Sequence, residues 1–341
     1  MAGRSLGMWV TAMAVFSSTL SGFGFVGGPG LVYRMGMSSI WIVICATVGH
    51  ALKFYLLGKR IRVFSEVYQP NSLADVVAIR YGSQTTRVLM SLAILAGVMS
   101  YLGAQILAMA TVLQQLMSDN NGSQWTLEWC VALSTAVLVF LAMRTLVLQG
   151  QHPELSIADA AAPQFLQYYA HPVLAGIVFA ALFAAIMSTA DGFLNIGAAA
   201  MVHDIPQAFR GRSLNRELLW VRVATVVMAM VAALFALYSP FTLVALLGKY
   251  AWGVFAAACV PVVAIGFNWK RANALAANTA IICGLLMNAG VLLAEACGVS
   301  ISYGIDSSAL TLLLSLVIFI VVSLLSPHQP LPDDVRQVME I

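Results

Sequence analysis

Charge is what this chain has least of. Only 9% of its 341 residues are charged and 61% are hydrophobic, for a mean hydropathy of +0.89. Soluble domains carry about 25% charged residues, and a globule this apolar would show water large greasy patches that soluble monomers avoid. A bilayer is therefore the expected solvent. The formal net charge is only +3, and the basic residues are spread over short loops. This excludes a nucleic-acid footprint and favours topology signals. The five cysteines (Cys45, Cys130, Cys259, Cys283, Cys297) include no CxxC pair and are too sparse for a disulfide scaffold. They read as small core hydrophobes. No cleavable signal peptide is expected, because the first apolar stretch is long, glycine-rich and without a small-x-small site. No GxxxxGK[ST] is present, so ATP drive is not expected. No HExxH or GxSxG appears and the histidines do not cluster, so neither an enzyme nor an organic cofactor is expected.

Long apolar runs are what the chain does have. A bilayer core of about 30 Å takes about 20 helical residues. Nine segments qualify: 6–30, 38–57, 88–117, 127–148, 172–198, 218–238, 241–267, 272–294 and 309–325. None shows the ten-residue alternation of a membrane barrel. The expected fold is all-α, a polytopic transmembrane helical bundle. Lys and Arg in short loops mark the cytoplasmic side. Loop 58–87 holds Lys59, Arg60, Arg62, Arg80 and Arg87; loop 199–217 holds Arg210, Arg212 and Arg216; the turn 268–273 holds Lys270 and Arg271. These place the N-terminus in the cytoplasm. Asn121-Gly122-Ser123 matches a glycosylation acceptor in an expected outside loop. Parity then fails: segment 88–117 ends outside and 172–198 starts outside, yet only 127–148 lies between them. Either 127–148 is re-entrant or interfacial, or crossings are missing from the middle of the chain.

Two stretches carry chemistry. Ser17-Ser18-Thr19-Leu20-Ser21-Gly22-Phe23-Gly24 and Gly27-Gly28-Pro29-Gly30 make a poor continuous helix, since glycine costs about 1 kcal/mol and proline about 3 in a helix interior. A broken helix at membrane depth can line a cavity and offer freed carbonyls to Na⁺. The same glycines also suit a small-residue packing seam. The second stretch is Ala184-Ala185-Ile186-Met187-Ser188-Thr189-Ala190-Asp191. Ala185, Ser188 and Thr189 share a helical face at i, i+3, i+4 and offer the oxygen ligands a hard cation prefers. Back-bonding of the two hydroxyls to their own helix explains them equally well. Asp191 is an acid within a membrane segment and so a functional candidate by default. Gln105, Asn278 and Asn288 are isolated buried polars of the kind that join helices.

Together these stretches resemble the sodium:solute symporter family of proline, pantothenate and glucose carriers. Arg4-Ser5-Leu6-Gly7, Leu20-Ser21-Gly22 and Gly27-Gly28-Pro29-Gly30 are similar to its first core helix. Ser72-Leu73-Ala74-Asp75 with Arg80-Tyr81-Gly82 resembles the loop before its third. Residues 184–191 with His203-Asp204-Ile205 resemble its eighth. Tyr250-Ala251-Trp252-Gly253, Pro261-Val262 and Trp269-Lys270-Arg271 resemble its tenth and the following turn. The resemblance covers two blocks, about 4–117 and 153–325.

The resemblance implies a LeuT-type inverted-repeat bundle that couples Na⁺ entry to uptake of a small organic solute across the plasma (bacterial inner) membrane. It implies a Na⁺ held by the carbonyls of Ser17, Leu20 and Ala185 and the hydroxyls of Ser188 and Thr189. It also implies a solute beside the first-helix break, walled by Ser21, Gly22, Phe23 and Gln105. The family places four crossings where this chain has room for one. The expected layout is therefore a single transmembrane domain over 1–341: a first block 1–117, a deletion junction 118–171, a second block 172–325 and a tail 326–341. The family's extra helix before the first core helix is also expected to be missing. The alternative is a shortened, transport-incompetent relative that serves as a remnant or a membrane-interaction subunit.

Overall fold

A computed structural model describes residues 7–9, 21–117, 158–211, 214, 216–238, 244–297, 299, 306–327 and 333–339. Every regular element among the described residues is helical. In chain order the α-helices are α1 (Gly28–Met35), α2 (Ile40–Tyr68), α3 (Leu73–Tyr81), α4 (Gln84–Met117), α5 (Ala161–Tyr169) and α6 (Pro172–Ala199). They continue with α7 (Ile205–Arg210), α8 (Glu217–Tyr238), α9 (Val244–Cys259), α10 (Ala274–Ala296), α11 (Ser307–Leu325) and α12 (Asp333–Met339). Three π-helical turns, Phe23–Gly27, Ala200–Asp204 and Val260–Ile265, interrupt the α geometry.

Seven helical runs among the described residues are long and apolar enough to cross a bilayer: Phe23–Tyr68, Gln84–Val112, Pro172–Arg210, Glu217–Ala236, Val244–Ile265, Ala274–Ala294 and Ser307–Leu325. The nine expected segments become seven for two reasons. Segments 6–30 and 38–57 run into one another through a 3₁₀ turn (Gly36–Ser39), and 127–148 lies outside the described residues. The first run is 46 residues long, about twice what one crossing needs. It is not a straight rod, because Gly36 adopts φ 66, ψ −148, a region only glycine enters readily.

The loop expected over 58–87 is largely helical. Lys59, Arg60 and Arg62 are good helix formers, so α2 continues to Tyr68 and stops before Pro70. Pro70 disfavours the helical conformation of the residue before it. Ser72 then N-caps α3 by accepting the Asp75 amide at 3.0 Å, and Gly82 closes it in the left-handed conformation, the usual glycine stop. Likewise the loop expected from 199 carries helix as far as Arg210, and α12 gives the tail 326–341 a helix with buried Val335, Val338 and Met339.

The chain folds as two compact units interleaved along the sequence. The first comprises Met1–Val43, Tyr101–Phe193 and Ala232–Gly248; the second comprises Ile44–Ser100, Leu194–Val231 and Lys249–Ile341. In the first unit, α6 presents Ala175, Phe179, Leu182 and Ile186 as one stripe, and α4 presents Ala104, Ala108 and Val112 as another. The two stripes share a core with Val26, Val244 and Leu247. The spacing of about four residues puts each set on one helical face.

In the second unit, arginines close helix ends. Arg80, 1% exposed, donates to the carbonyls of Gly266 (3.1 and 2.8 Å) and Trp269 (3.2 Å). Arg60 donates to Phe267 O at 2.8 Å, and Arg271 donates to Ser323 O and Leu324 O at 3.2 and 2.7 Å. Cations suit these carbonyl-rich ends, where the helix dipole is negative. Arg80 is thus a buried cap and not a solvated loop charge, and desolvation lowers its pKa below the ordinary guanidinium value. The Tyr81 hydroxyl donates at 2.8 Å to Val262 O in the π turn, and burial raises its pKa. The Ser315 hydroxyl joins α9, α10 and α11 through Ala257 O at 2.7 Å and Ala280 O at 3.2 Å. Asn278 and Asn288 act as helix glue: Asn278 Oδ1 accepts from Thr86 Oγ1 at 2.7 Å, and Asn288 Nδ2 donates to Gly284 O at 2.8 Å.

The reading of the cysteines as core hydrophobes needs correction. Cys45 and Cys297 are exposed, Cys259 and Cys283 half-buried, and all four are free; Cys130 lies outside the described residues. A small apolar thiol on an exposed helix face meets no penalty when lipid is the solvent.

Candidate functional site: a first-helix break packed on two core helices

The site residues expected from sequence and described here all belong to the first unit. Ser21 stands outside regular helix, Gly22 begins the helical run, and Phe23–Gly27 forms a π turn before Pro29 enters α1. Pro29 follows the π turn directly, so its missing N–H and its ring fall where the run already departs from regular α geometry. The break has specific partners. Ser21, 1% exposed, bonds through Oγ to Tyr101 Oη at 2.8 Å. The Gly22 N–H donates to Gln105 Oε1 at 2.9 Å. Tyr101 and Gln105 are one turn apart on α4, so a single helix face satisfies the polar groups that the break frees.

Gly22 is also a point of close approach. A Cβ there would sit 2.6 Å from Ala108 Cβ and 3.3 Å from Ile186 Cγ1. Gly27 and Gly30 are equally confined, by Ala245 and Asp159. The first helix is therefore both interrupted and a small-residue seam; the two readings the sequence left open hold together.

Ile186, against which Gly22 packs, sits in the expected ion-binding stretch of α6. Thr189 is 2% exposed and donates through Oγ1 to Ala185 O at 3.0 Å. Back-bonding is thus the arrangement seen, and it leaves two of the expected ligand oxygens adjacent. Ala185 is half-buried, whereas Ser188 and Asp191 are exposed; Phe23 is half-buried. The other two expected ion ligands, Ser17 and Leu20, lie outside the described residues, as do segment 127–148, the stretch 118–157 of the expected junction and the Asn121 acceptor.

Two residues of this unit were not singled out from sequence. Tyr101 was legible in principle, because it lies at i−4 from Gln105 on the same face; its ring also stacks on Phe193 with centroids 4.6 Å apart. Asp159 gave no such signal. It is 1% exposed in the short 3₁₀ turn Ala158–Ala160, accepts the Val244 N–H on Oδ2 at 2.6 Å, and keeps Oδ1 buried without a partner. Burial pushes its carboxyl up to about 6, against the lowering pull of the Val244 N–H.

Comparison with known proteins decides the family. The sequence profile of the Sodium:solute symporter family matches residues 1–143 and 123–284. The chain belongs to the sodium:solute symporter family. Its members are carriers rather than enzymes, Na⁺ is their coupling ion, and the chain is a multi-pass membrane protein. The osmoregulated proline transporter OpuE of Bacillus subtilis (strain 168) is 32% identical over 158 residues, 46% of this chain and 31% of that one. The sodium/proline symporter of Escherichia coli (strain K12) is 25% identical over 403 residues, 83% of this chain and 80% of that one. A sodium/proline symporter of Staphylococcus aureus is 38% identical over 65 residues, 19% of this chain and 13% of that one. The chain thus spans under a third of the Bacillus and Staphylococcus relatives. A solved Na⁺-coupled sialic acid symporter, in a substrate-bound outward-open state, superposes with a TM-score of 0.63 at 15% identity. The match covers 97% of this chain and 92% of that one. That likeness concerns the fold, which is the symporter bundle expected from sequence.

Proposed function

We propose that this chain is a sodium-coupled symporter of a small organic solute. The observation that carries the proposal is the pairing of Gly22 with Gln105 and Ile186, which sets the first-helix break beside the hydroxyl-bearing stretch of α6. The carbonyls of Ser17, Leu20 and Ala185 with the hydroxyls of Ser188 and Thr189 hold Na⁺. Ser21, Gly22, Phe23 and Gln105 wall the solute, and Asp191 is an accessory polar group on the ion-binding helix. The buried Gln105 Nε2, which has no partner, supplies a hydrogen-bond donor to the solute. Proline is the first solute to test, since the relatives above are proline carriers. The protein resides in the plasma (bacterial inner) membrane with its N-terminus in the cytoplasm. Sodium drives transport only through unequal affinity for the outward- and inward-open states.

The second reading, a shortened relative that binds without transporting, rests on a separate observation. The Escherichia coli alignment runs over 403 residues, more than the 341 of this chain, while using 83% of it. Stretches of that relative therefore have no counterpart here. This supports a deletion in the chain, which the sequence reading sets at 118–171. Uptake of radiolabelled proline, pantothenate, acetate and glucose, with and without Na⁺, separates the two readings. Uptake stimulated by Na⁺ supports the symporter. Its absence from an inserted, stable chain that still binds Na⁺ supports the shortened relative. Ser188→Ala with Thr189→Ala is expected to raise the Na⁺ needed for half-maximal binding or uptake about tenfold, the equivalent of 1.4 kcal/mol. An unchanged Na⁺ requirement would remove these hydroxyls from the site.

A further inference from the structure

A second cluster of polar groups lies wholly within the second unit, which holds none of the residues assigned to Na⁺ and solute. It forms where the start of α3 meets the π turn Ala200–Asp204. Asp75 is 6% exposed: its Oδ2 accepts the Asn71 N–H at 3.1 Å and lies 3.7 Å from His203 Nε2. Its Oδ1 is 3.2 Å from Arg87 Nη2 yet receives no hydrogen bond of acceptable geometry. Asp204, 1% exposed, accepts the Ser72 hydroxyl on Oδ1 at 2.7 Å, although the two residues are 132 positions apart. His203 Nδ1 lies 3.2 Å from Glu217 Oε1, and Asn71 Nδ2 approaches His203 Nε2 only at 3.4 Å. One ligand atom each from Asp75, His203 and Asp204 falls within 4.8 Å of the others.

The charge balance and the donor set both suit a cation. Among the described residues, three carboxylates (Asp75, Asp204, Glu217) gather about the His203 imidazole, with the Arg87 guanidinium against Asp75. Glu217 Oε1 stands on the Nδ1 side of His203, and Nε2 is the ring nitrogen on the side of Asp75. Asp75 and Asp204 are almost wholly out of water, where a carboxylate is costly unless paired, and one ligand atom from each falls with one of His203 in a space of ion-binding size. A carboxylate on the outer nitrogen of a histidine is also how metal-binding imidazoles are oriented.

We propose that Asp75, His203 and Asp204 bind a divalent first-row transition cation, with Glu217 and Ser72 orienting the ligands and Arg87 balancing Asp75. The mixed imidazole and carboxylate donors suit Zn²⁺, Co²⁺ or Mn²⁺ better than a soft thiophilic ion. At metal–ligand distances of about 2.0–2.2 Å, tetrahedral donors stand roughly 3.4 Å apart. The His203–Asp75 pair is already near that spacing, and Asp204 closes in by a side-chain adjustment. Three protein ligands leave a fourth position for water. The ion ties α3 to the end of the helical run that began at Pro172, two parts of the chain distant in sequence.

The test is Co²⁺ titration of the purified full chain in detergent, read by visible absorption, with Zn²⁺ competition and calorimetry. One saturable equivalent that Zn²⁺ displaces is the expected result. His203→Ala and Asp204→Asn are each expected to weaken binding at least tenfold. Glu217→Gln, at a half-exposed position outside the triad, is expected to weaken it about 10–100-fold, as outer partners of metal ligands do. Absence of saturable binding by the unaltered chain would overturn the proposal, whatever the variants do. So would binding unchanged in variants that elute as monodisperse protein, or a cluster whose only response is to pH.

Discussion

Gln105 illustrates how one side chain holds the break together. Its carbonyl satisfies Gly22 N–H while its amide nitrogen is buried and unpartnered. Gln105→Leu strands the Gly22 N–H, and leaving a buried donor unmade costs about 1–3 kcal/mol. Thermal unfolding of the purified chain should move down accordingly, and Na⁺-dependent uptake should fall further than stability alone explains. Asp159 gives a prediction with a definite sign. Its folded carboxyl is raised from the ordinary 3.8 to about 6, so it stabilises the fold while protonated. That contribution is whole below about pH 4 and is lost as pH rises through 6. The stake is on the order of 3 kcal/mol, at 1.36 kcal/mol per pKa unit. Asp159→Asn, which stays neutral, should flatten the fall in stability between pH 4 and 7; an unchanged pH profile would remove Asp159 as its source. Neither role was fully visible in the sequence. Gln105 stood out as an amide in an apolar run, but its partner Gly22 is 83 positions away. Asp159 lies in a short segment with no periodicity to read.

At the scale of the element, the first core helix was legible as unusual because its glycines, hydroxyls and Pro29 oppose a straight membrane helix. The two roles left open, interruption and close packing, turn out to coexist. Gly22 tests that coexistence. With a methyl at 2.6 Å from Ala108 Cβ, Gly22→Ala must push α4 and the first helix apart. A loss of thermal stability of about 1–3 kcal/mol, typical of overpacking, is expected together with reduced Na⁺-dependent uptake. Full activity at unchanged stability would mean that the contact yields freely. Loops were the weaker part of the reading. Charge marked 58–87 as a loop, yet Lys59, Arg60 and Arg62 continue α2, and Arg80 caps a distant helix end. A cation in a short loop and a cation capping a carbonyl cluster look alike in sequence; only the position of Gly266 and Trp269 separates them.

For the molecule as a whole, the Lys and Arg distribution makes a topological prediction. In a cysteine-free background, Glu66→Cys at the exposed end of α2 should be shielded from a membrane-impermeant thiol reagent in intact cells and labelled after lysis. Labelling in intact cells would reverse the assigned orientation. The scarcity of charge and the lengths of the apolar runs by themselves determined a helical membrane protein. Lipid cannot hydrogen-bond a backbone, so each crossing must satisfy its own. The Ser-Thr pair and the glycine-rich first helix marked the stretches proposed to hold the ion and the solute, because hydroxyls and helix breakers are costly at that depth. Tertiary structure alone decided which groups meet. It set Tyr101 against Ser21, Gln105 against Gly22 and Asp159 against Val244, and it gathered Asp75, His203 and Asp204 into one cluster. Periodicity reports which face of an element is apolar. It says nothing of the partner, which is chosen by packing between segments far apart in the chain.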